Sequence, residues 1–516
     1  MSKRIKKQYQ PIAFSIVLII GVLIGNFLNN TDNGISNFQI HQNSKINTIL
    51  QLIQEDYVDT INQNRIEENA INSILKELDP HSTYINTKRI KGVNEEMGGS
   101  FGGIGVEFNI QNDSIVVVSP ISGGPSERLG IKSGDRIVEV EDENVAGIGI
   151  ENQGVIDRLR GEIGTIVCVK IKRKNENELI DYSITRGEIP LLSLDVKLML
   201  TNDIGYIKLN RFSGTTTDEF IESAKSLLNS GMQKLILDLR GNPGGYLGAA
   251  INVSNQFLGG EEMIVFTEGR NRKRQEFYAD KSGLLTQTNV VVLVDEGSAS
   301  ASEIVAGALQ DNDRGSIVGR RTFGKGLVQE QIPLYDGSVV RLTTQRYYTP
   351  TGRSIQKPYE NGKAEDYFLE VYERGEKDSA KQSDSLFFTT PKGNIVYGGG
   401  GITPDFFVPT DTSLSSKKLS VFFSKNWIFD FCFDYADGHR ENFTKEQLLK
   451  RYIYTDFVSF VSNKNSDFEF DLSENEKSYL IKQLKANIGR NLWGNEIFYS
   501  ILLEEDEFVG SAIKKF

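Results

Sequence analysis

The sequence predicts a layered α/β body, with a β-rich module ahead of it and helical segments at both ends. Three observations carry this expectation. Apolar runs at 235–239 and 290–294 read as strands buried on both faces, each followed by a glycine-containing turn and a helical pattern. Between 98 and 188, short strand patterns separated by glycine turns predominate, with two short helices. Beyond about residue 410 the chain is rich in Phe and Tyr, and helical spacing recurs at 445–457 and 474–488.

Composition bounds the function. The 516 residues leave room for about three folded units. With 39% hydrophobic and 25% charged residues, the chain is not wholly disordered. A balance of 58 basic against 69 acidic residues, net −11, argues against nonspecific nucleic-acid binding. The two cysteines, Cys168 and Cys432, cannot form a disulfide framework or a Cys-based zinc site. Cys168 lies in an alternating run and reads as a small buried hydrophobe, with a long-range bridge to Cys432 as the rival reading. The histidines are His41, His81 and His439, so any histidine-dependent mechanism must use one of these three.

From the N-terminus, Lys3, Arg4, Lys6 and Lys7 form a basic flank (1–10), and 11–28 is almost wholly apolar. That span is just long enough to cross a bilayer. A cleaved signal peptide is the alternative, but no small-x-small pattern follows the apolar run, which favours an uncleaved anchor. The basic flank then keeps the N-terminus in the cytoplasm and the body outside. Residues 35–97 read as mostly helical, with Ile49, Leu52, Ile53, Ile66, Ile71, Ile74, Leu75 and Leu78 at three- and four-residue spacings. Asp79-Pro80-His81-Ser82-Thr83-Tyr84 breaks that pattern and, taken alone, is a connector.

The module at 98–188 opens with the glycine-rich run Gly98-Gly99-Ser100-Phe101-Gly102-Gly103-Ile104-Gly105-Val106-Glu107-Phe108. Such a loop can aim several N–H groups at one anion, a terminal carboxylate among them; a plain hairpin turn is the bland reading. Gly130-Ile131-Lys132-Ser133-Gly134-Asp135-Arg136-Ile137 follows, and the whole stretch resembles a PDZ domain. The resemblance implies that Gly103, Ile104, Gly105 and Val106 receive a peptide's C-terminal carboxylate. It also implies that the peptide adds as a strand beside Val106 and Phe108, with its last side chain in an apolar pocket.

Within 190–410, strands alternate with helices, and a polar stretch at 357–390 reads as an insertion or lid. Ser300 stands between a buried strand and a helix, where the helix terminus favours negative charge. Ser300 with Glu303 is equally a capping box, and on local evidence the cap is the commoner role. Lys325, between Gly324 and Gly326, is an ordinary loop lysine or, in an apolar site, a base of lowered pKa. Arg240-Gly241-Asn242-Pro243-Gly244-Gly245 supplies a turn whose N–H groups could meet an oxyanion.

Taken together, these segments resemble the C-terminal processing peptidases, or tail-specific proteases. So do Asp79-Pro80-His81-Ser82, Tyr348-Thr349-Pro350-Thr351-Gly352-Arg353 and Gly401-Ile402-Thr403-Pro404-Asp405. The resemblance spans roughly 40–410 and implies a crotonase-like, ClpP-like layered protease core with an inserted PDZ domain. It implies Ser300 as nucleophile, Lys325 as base and Gln329 as the residue orienting it, with Ser298 and Ser302 as bystanders. Ala301 and one of Gly244 and Gly245 would form the oxyanion hole, and no metal or other cofactor is expected. The implied partners are proteins with accessible apolar C-terminal tails, acted on in the periplasm by an enzyme held in a bacterial inner membrane. The appendage at 411–516 carries no chemical motif and is a candidate for homo-oligomerisation or contact with an adaptor. Two rival functions remain. One is an inactive tail-binding adaptor, against which the intact Ser300, Lys325 and Gln329 count. The other is a crotonase-like acyl enzyme, against which the PDZ domain and the exported location count.

Overall fold

The computed structural model describes residues 44–516 apart from 175, 361, 375–385, 412–413, 415–416 and 441–442. The apolar segment 11–28 and His41 lie outside these residues. Among the described residues, no helix is long and apolar enough to cross a membrane. The chain divides into two units, Met1–Ile71 and Asn72–Phe516. In the first, helix Lys45–Asp56 and the start of helix Gln63–Lys76 are described.

In the second unit, the Asp79-Pro80 break leads into strand β1 (Thr83–Ile85) and helix Thr87–Gly98. Asn86 caps that helix through the Arg89 N–H, and Gly99, at φ 86°, ends it in the left-handed region. The module follows as β2 (Ser100–Gly103), β3 (Val106–Ile110), β4 (Ile115–Pro120), β5 (Arg136–Val140), β6 (Glu143–Asn144), β7 (Ile166–Lys172), β8 (Ile180–Thr185) and β9 (Gly187–Pro190). β2 pairs antiparallel with β9, so part of the stretch that reads as a glycine loop is a strand closing the module. The other strands form one sheet in the order β3-β4-β5-β7-β8, with β6 on β5. β3 is therefore an edge strand with one side unpaired by the sheet.

One expectation fails here. Val167, Val169 and Ile171 fill the module core, and the two-residue period of β7 then turns Cys168 outward. Cys168 is exposed, Cys432 is buried, and both are free thiols.

The body contributes β10 (Leu194–Met199), β11 (Ile204–Leu209), β12 (Lys234–Asp238), β13 (Met263–Gly269), β14 (Arg272–Tyr278), β15 (Asn289–Val294), β16 (Gly315–Gly319), β17 (Leu327–Pro333), β18 (Val339–Tyr348), β19 (Phe387–Thr389), β20 (Ile395–Tyr397) and β21 (Phe406–Phe407). One sheet runs β10-β11-β12-β15-β16-β21, parallel throughout except for β10 against β11. A second, antiparallel sheet runs β1-β18-β13-β14 with β17 on β18. Apolar runs cannot reveal this second sheet, because strands such as β14 are charged and exposed along most of their length.

On one face of the parallel sheet, Leu235, Leu237, Val290 and Val292 pack against Phe220, Val253 and Val305 of three helices. The opposite face carries Tyr206, Ile236, Val291, Leu293 and Val318, and the C-terminal residues Leu503, Val509 and Ala512 cover it. The tail thus supplies the second layer that a parallel sheet requires. Its middle helices build their own core around Phe422, Phe431, Phe457 and Leu480. From there, Asp434 accepts a hydrogen bond from Gln111 of the module at 2.8 Å.

Candidate active site

The site forms where the parallel strands end. β15 runs into the loop 295–300, and Ser300 begins helix Ala301–Asp311, every residue of which is buried. Ser300 itself has φ 54° and ψ −111°, a conformation that L-residues rarely adopt. Its N–H donates to Glu303 Oε2 at 2.8 Å, and its carbonyl accepts the Tyr347 hydroxyl at 3.0 Å.

Glu303 is more than a helix cap. Its side chain is wholly buried and also accepts the Thr322 hydroxyl (2.5 Å) and the N–H groups of Gly324 (2.7 Å) and Lys325 (2.9 Å). Burial pushes its carboxyl pKa up, while these donors pull the other way. Four donors around two oxygens fit the ionised form.

The glycine turn lies directly against Ser300. A Cβ on Gly244 (φ 97°) would come within 2.7 Å of Ser300 Cβ and 2.8 Å of the Ala301 nitrogen. On Gly245 (φ 148°) a Cβ would collide with the Phe212 carbonyl oxygen. Glycine is needed at both positions for space as well as for φ. The Gly244 N–H is already engaged by Asn242 Oδ1 at 2.9 Å. The two serines expected to be bystanders brace the turn. Ser298 Oγ donates to the Leu239 carbonyl at 2.8 Å, and Ser302 Oγ donates to the Asn242 carbonyl at 2.9 Å.

Ser300, Ala301, Gly244, Gly245, Lys325 and Gln329 all line one cavity of about 660 Å³. Burial pushes the Lys325 amine down to about 8, and the positive charge of Arg341 adds to that. No hydrogen bond joins Ser300 Oγ to Lys325 Nζ. Gln329 departs from the orienting role expected of it: its amide donates to Thr343 Oγ1 at 3.4 Å rather than meeting Lys325. Thr343 in turn donates to Asp79 at 3.1 Å, so the connector motif docks behind the base.

His81, in the segment that taken alone is a connector, stands close enough to Lys325 to be affected by its charge. It lies within hydrogen-bond distance (3.0 Å) of the Tyr367 hydroxyl. Tyr367 belongs to helix Ala364–Glu373, within the segment expected to be an insertion or lid. Arg374, just beyond that helix, donates to the carbonyls of Thr322 (2.7 Å) and Phe323 (3.1 Å), immediately before the base. Glu303 was visible in the sequence as a cap. Tyr347, Arg341 and the Asp79–Thr343 contact had no local signal.

The module residues sit apart from this cavity. Ile104 is buried in the module core, and Gly105 turns at φ 75°. Val106 and Phe108 pack against that core from the edge strand. Among the described residues, no group of three or more His, Cys, Asp or Glu side chains could hold a metal ion.

Family models match this architecture: peptidase family S41 at 203–367, a PDZ domain at 102–184 and the activating protease CtpB N-terminal domain at 27–89. A family of unknown function, DUF8443, matches 419–494. The carboxy-terminal-processing protease of Bartonella bacilliformis is 38% identical over 320 residues, covering 61% of this chain and 73% of that protein. The chain belongs to the carboxy-terminal processing proteases. A probable CtpA-like serine protease of Staphylococcus aureus is 32% identical over 342 residues, 66% of this chain and 68% of the relative. The carboxy-terminal processing protease CtpB of Bacillus subtilis is 34% identical over 316 residues, 61% and 65% of the two chains. The protein is therefore a serine protease of this family with a PDZ domain.

Proposed function

We propose that this protease cleaves peptide bonds by a Ser300/Lys325 dyad, in proteins whose C-terminal tails its PDZ domain holds. The observation that carries the reading is the convergence in one cavity of a strained serine, a lysine of depressed pKa and a glycine turn. Neutral Lys325 takes the proton from Ser300 Oγ as that oxygen attacks the scissile carbonyl. The lysine then gives the proton to the leaving amine, and water hydrolyses the acyl-enzyme by the reverse route. Because the Gly244 N–H is engaged by Asn242, the oxyanion donors in this reading are the N–H groups of Ala301 and Gly245. Gln329 acts indirectly, through Thr343 and Asp79, on the wall beside the base.

Edge strand β3, with the Gly103–Val106 turn at its start, is the docking line for the substrate's last residues. The apolar run 11–28 and its basic flank anchor the protease in a bacterial inner membrane, with the catalytic body on the periplasmic side. The test is cleavage of an unfolded protein with an apolar C-terminus by the wild type, Ser300→Ala and Lys325→Ala, followed by mass spectrometry. Fragments from the wild type alone support the reading. Equal cleavage by either variant overturns it.

A further inference from the structure

The short tail helix Glu507–Ile513 starts at Asp506, whose carboxylate has two tasks. Oδ1 accepts the N–H groups of Phe508 (2.9 Å) and Val509 (3.0 Å), which is an N-cap. Both oxygens also accept Arg240 Nη1, at 3.1 and 2.9 Å, across 266 residues of sequence. Arg240 is the first residue of the glycine turn that ends against Ser300.

The other edge of the Arg240 guanidinium is held by Asp238, with Nη2 to Oδ2 at 2.6 Å. The Arg240 carbonyl accepts Lys208 Nζ at 3.0 Å. Asp238 and Asp506 therefore balance Arg240 and Lys208 at the foot of the turn. Burial opposes the charge on Asp238, but Arg240 and Lys208 hold its carboxyl well below the usual carboxylate range.

Phe508 adds a second link. Its ring lies 4.6 Å from Arg240 Cζ and 4.9 Å from Arg320 Cζ. Arg320 donates to Glu296 Oε1 at 2.5 Å, on the loop that leads to Ser300. One helix end thus holds the first residue of the turn and, through Arg320, the loop that precedes the nucleophile.

We propose that Asp506 and Phe508 are positioning residues for catalysis: the tail sets the oxyanion turn through Arg240 and the nucleophile loop through Arg320 and Glu296. The inference rests on the assignment of Ser300 and the turn to acyl transfer. The turn carries glycine at 241, 244 and 245, so its own side chains contribute little rigidity. Without Asp506, the one carboxylate among the described residues still bonded to Arg240 is that of Asp238, two residues before it, on the strand from which the turn itself springs. Displacement of a catalytic group by about 1 Å costs up to about a hundredfold in rate.

The test uses the full chain and two substitutions. Asparagine caps helices about as well as aspartate, so Asp506→Asn keeps the helix end and removes the charge facing Arg240. Phe508→Leu keeps apolar bulk at this partly buried position and removes the ring face. Each is assayed for peptide cleavage, for thermal melting and for inhibition by a peptide aldehyde. The aldehyde's adduct with Ser300 would place an oxyanion in the hole. We expect kcat to fall about tenfold or more, KM to change by less than about twofold, and aldehyde affinity to fall in step with kcat. Wild-type kcat and aldehyde affinity in both variants overturn the inference, as does a loss confined to KM. If Asp506→Asn does not fold, Phe508→Leu decides alone. A wild-type enzyme that neither cleaves nor binds the aldehyde overturns the assignment of Ser300 itself, which is a different failure.

Discussion

The backbone N–H groups of Ser300 and Lys325 meet at a single atom, Glu303 Oε2, at 2.8 and 2.9 Å. The loop carrying the nucleophile and the loop carrying the base are thereby fixed to one buried carboxylate. A cap residue has become the hinge pin of the site.

Glu303→Gln should therefore be severe. An amide has one acceptor oxygen where four donors converge, and its NH2 group would face N–H groups it cannot pair with. The expected outcome is a stability loss of about 3 kcal/mol and a fall in kcat of at least about a hundredfold. Denaturant melts and steady-state kinetics on the same preparation check both.

Activity should follow the titration of Lys325. Only the neutral amine accepts the serine proton, and its pKa is lowered to about 8. Below that value kcat/KM should fall about tenfold per pH unit, and above it the rate should level off. Because Arg341 contributes to the lowering, Arg341→Gln should move the rising limb to higher pH. A pH–rate profile of both proteins reads the shift directly.

His81 links pH to stability with a definite sign. Burial, and then the charge of Lys325, lower its pKa from 6.5 to about 3, with Asp79 opposing and Lys357 assisting. The folded protein therefore disfavours the protonated ring. The stabilisation is complete above about pH 6.5 and is lost as pH falls toward about 3. His81→Gln cannot titrate, so the melting-temperature gap between wild type and variant should narrow on going from pH 8 to pH 5.

Tyr347→Phe removes the hydroxyl that donates to the Ser300 carbonyl at 3.0 Å. That carbonyl belongs to a residue held at positive φ, so the bond helps to maintain the strained geometry. A stability loss of about 1 kcal/mol is expected, with a lower kcat and an unchanged KM. Thermal melts and kinetics together distinguish this from a general packing defect.

The parts of this molecule readable in its sequence are those whose cause is local. The runs at 235–239 and 290–294 had to be strands buried on both faces, and the turns after them had to lie at the sheet's C-terminal end. Cys168 shows the limit of that reasoning: alternation says that neighbours face opposite ways, and only packing says which way is in. Gln329 and His81 show another limit. Gln329 reaches Thr343 and His81 reaches Tyr367 through strand pairing and an insertion helix that no single segment encodes. The tail offered only helical spacing, yet the ion pair of Asp506 with Arg240 ties it to the catalytic turn.

The central claim is that Ser300 is a nucleophile activated by Lys325. The most direct measurement is covalent labelling by a serine-reactive fluorophosphonate, followed by peptide mapping, in the wild type and in Lys325→Met. The account predicts a single label at Ser300, formed at a rate that rises with pH toward about 8, and no label in the lysine variant. Labelling at another serine, or equal labelling of Ser300 without Lys325, would contradict it.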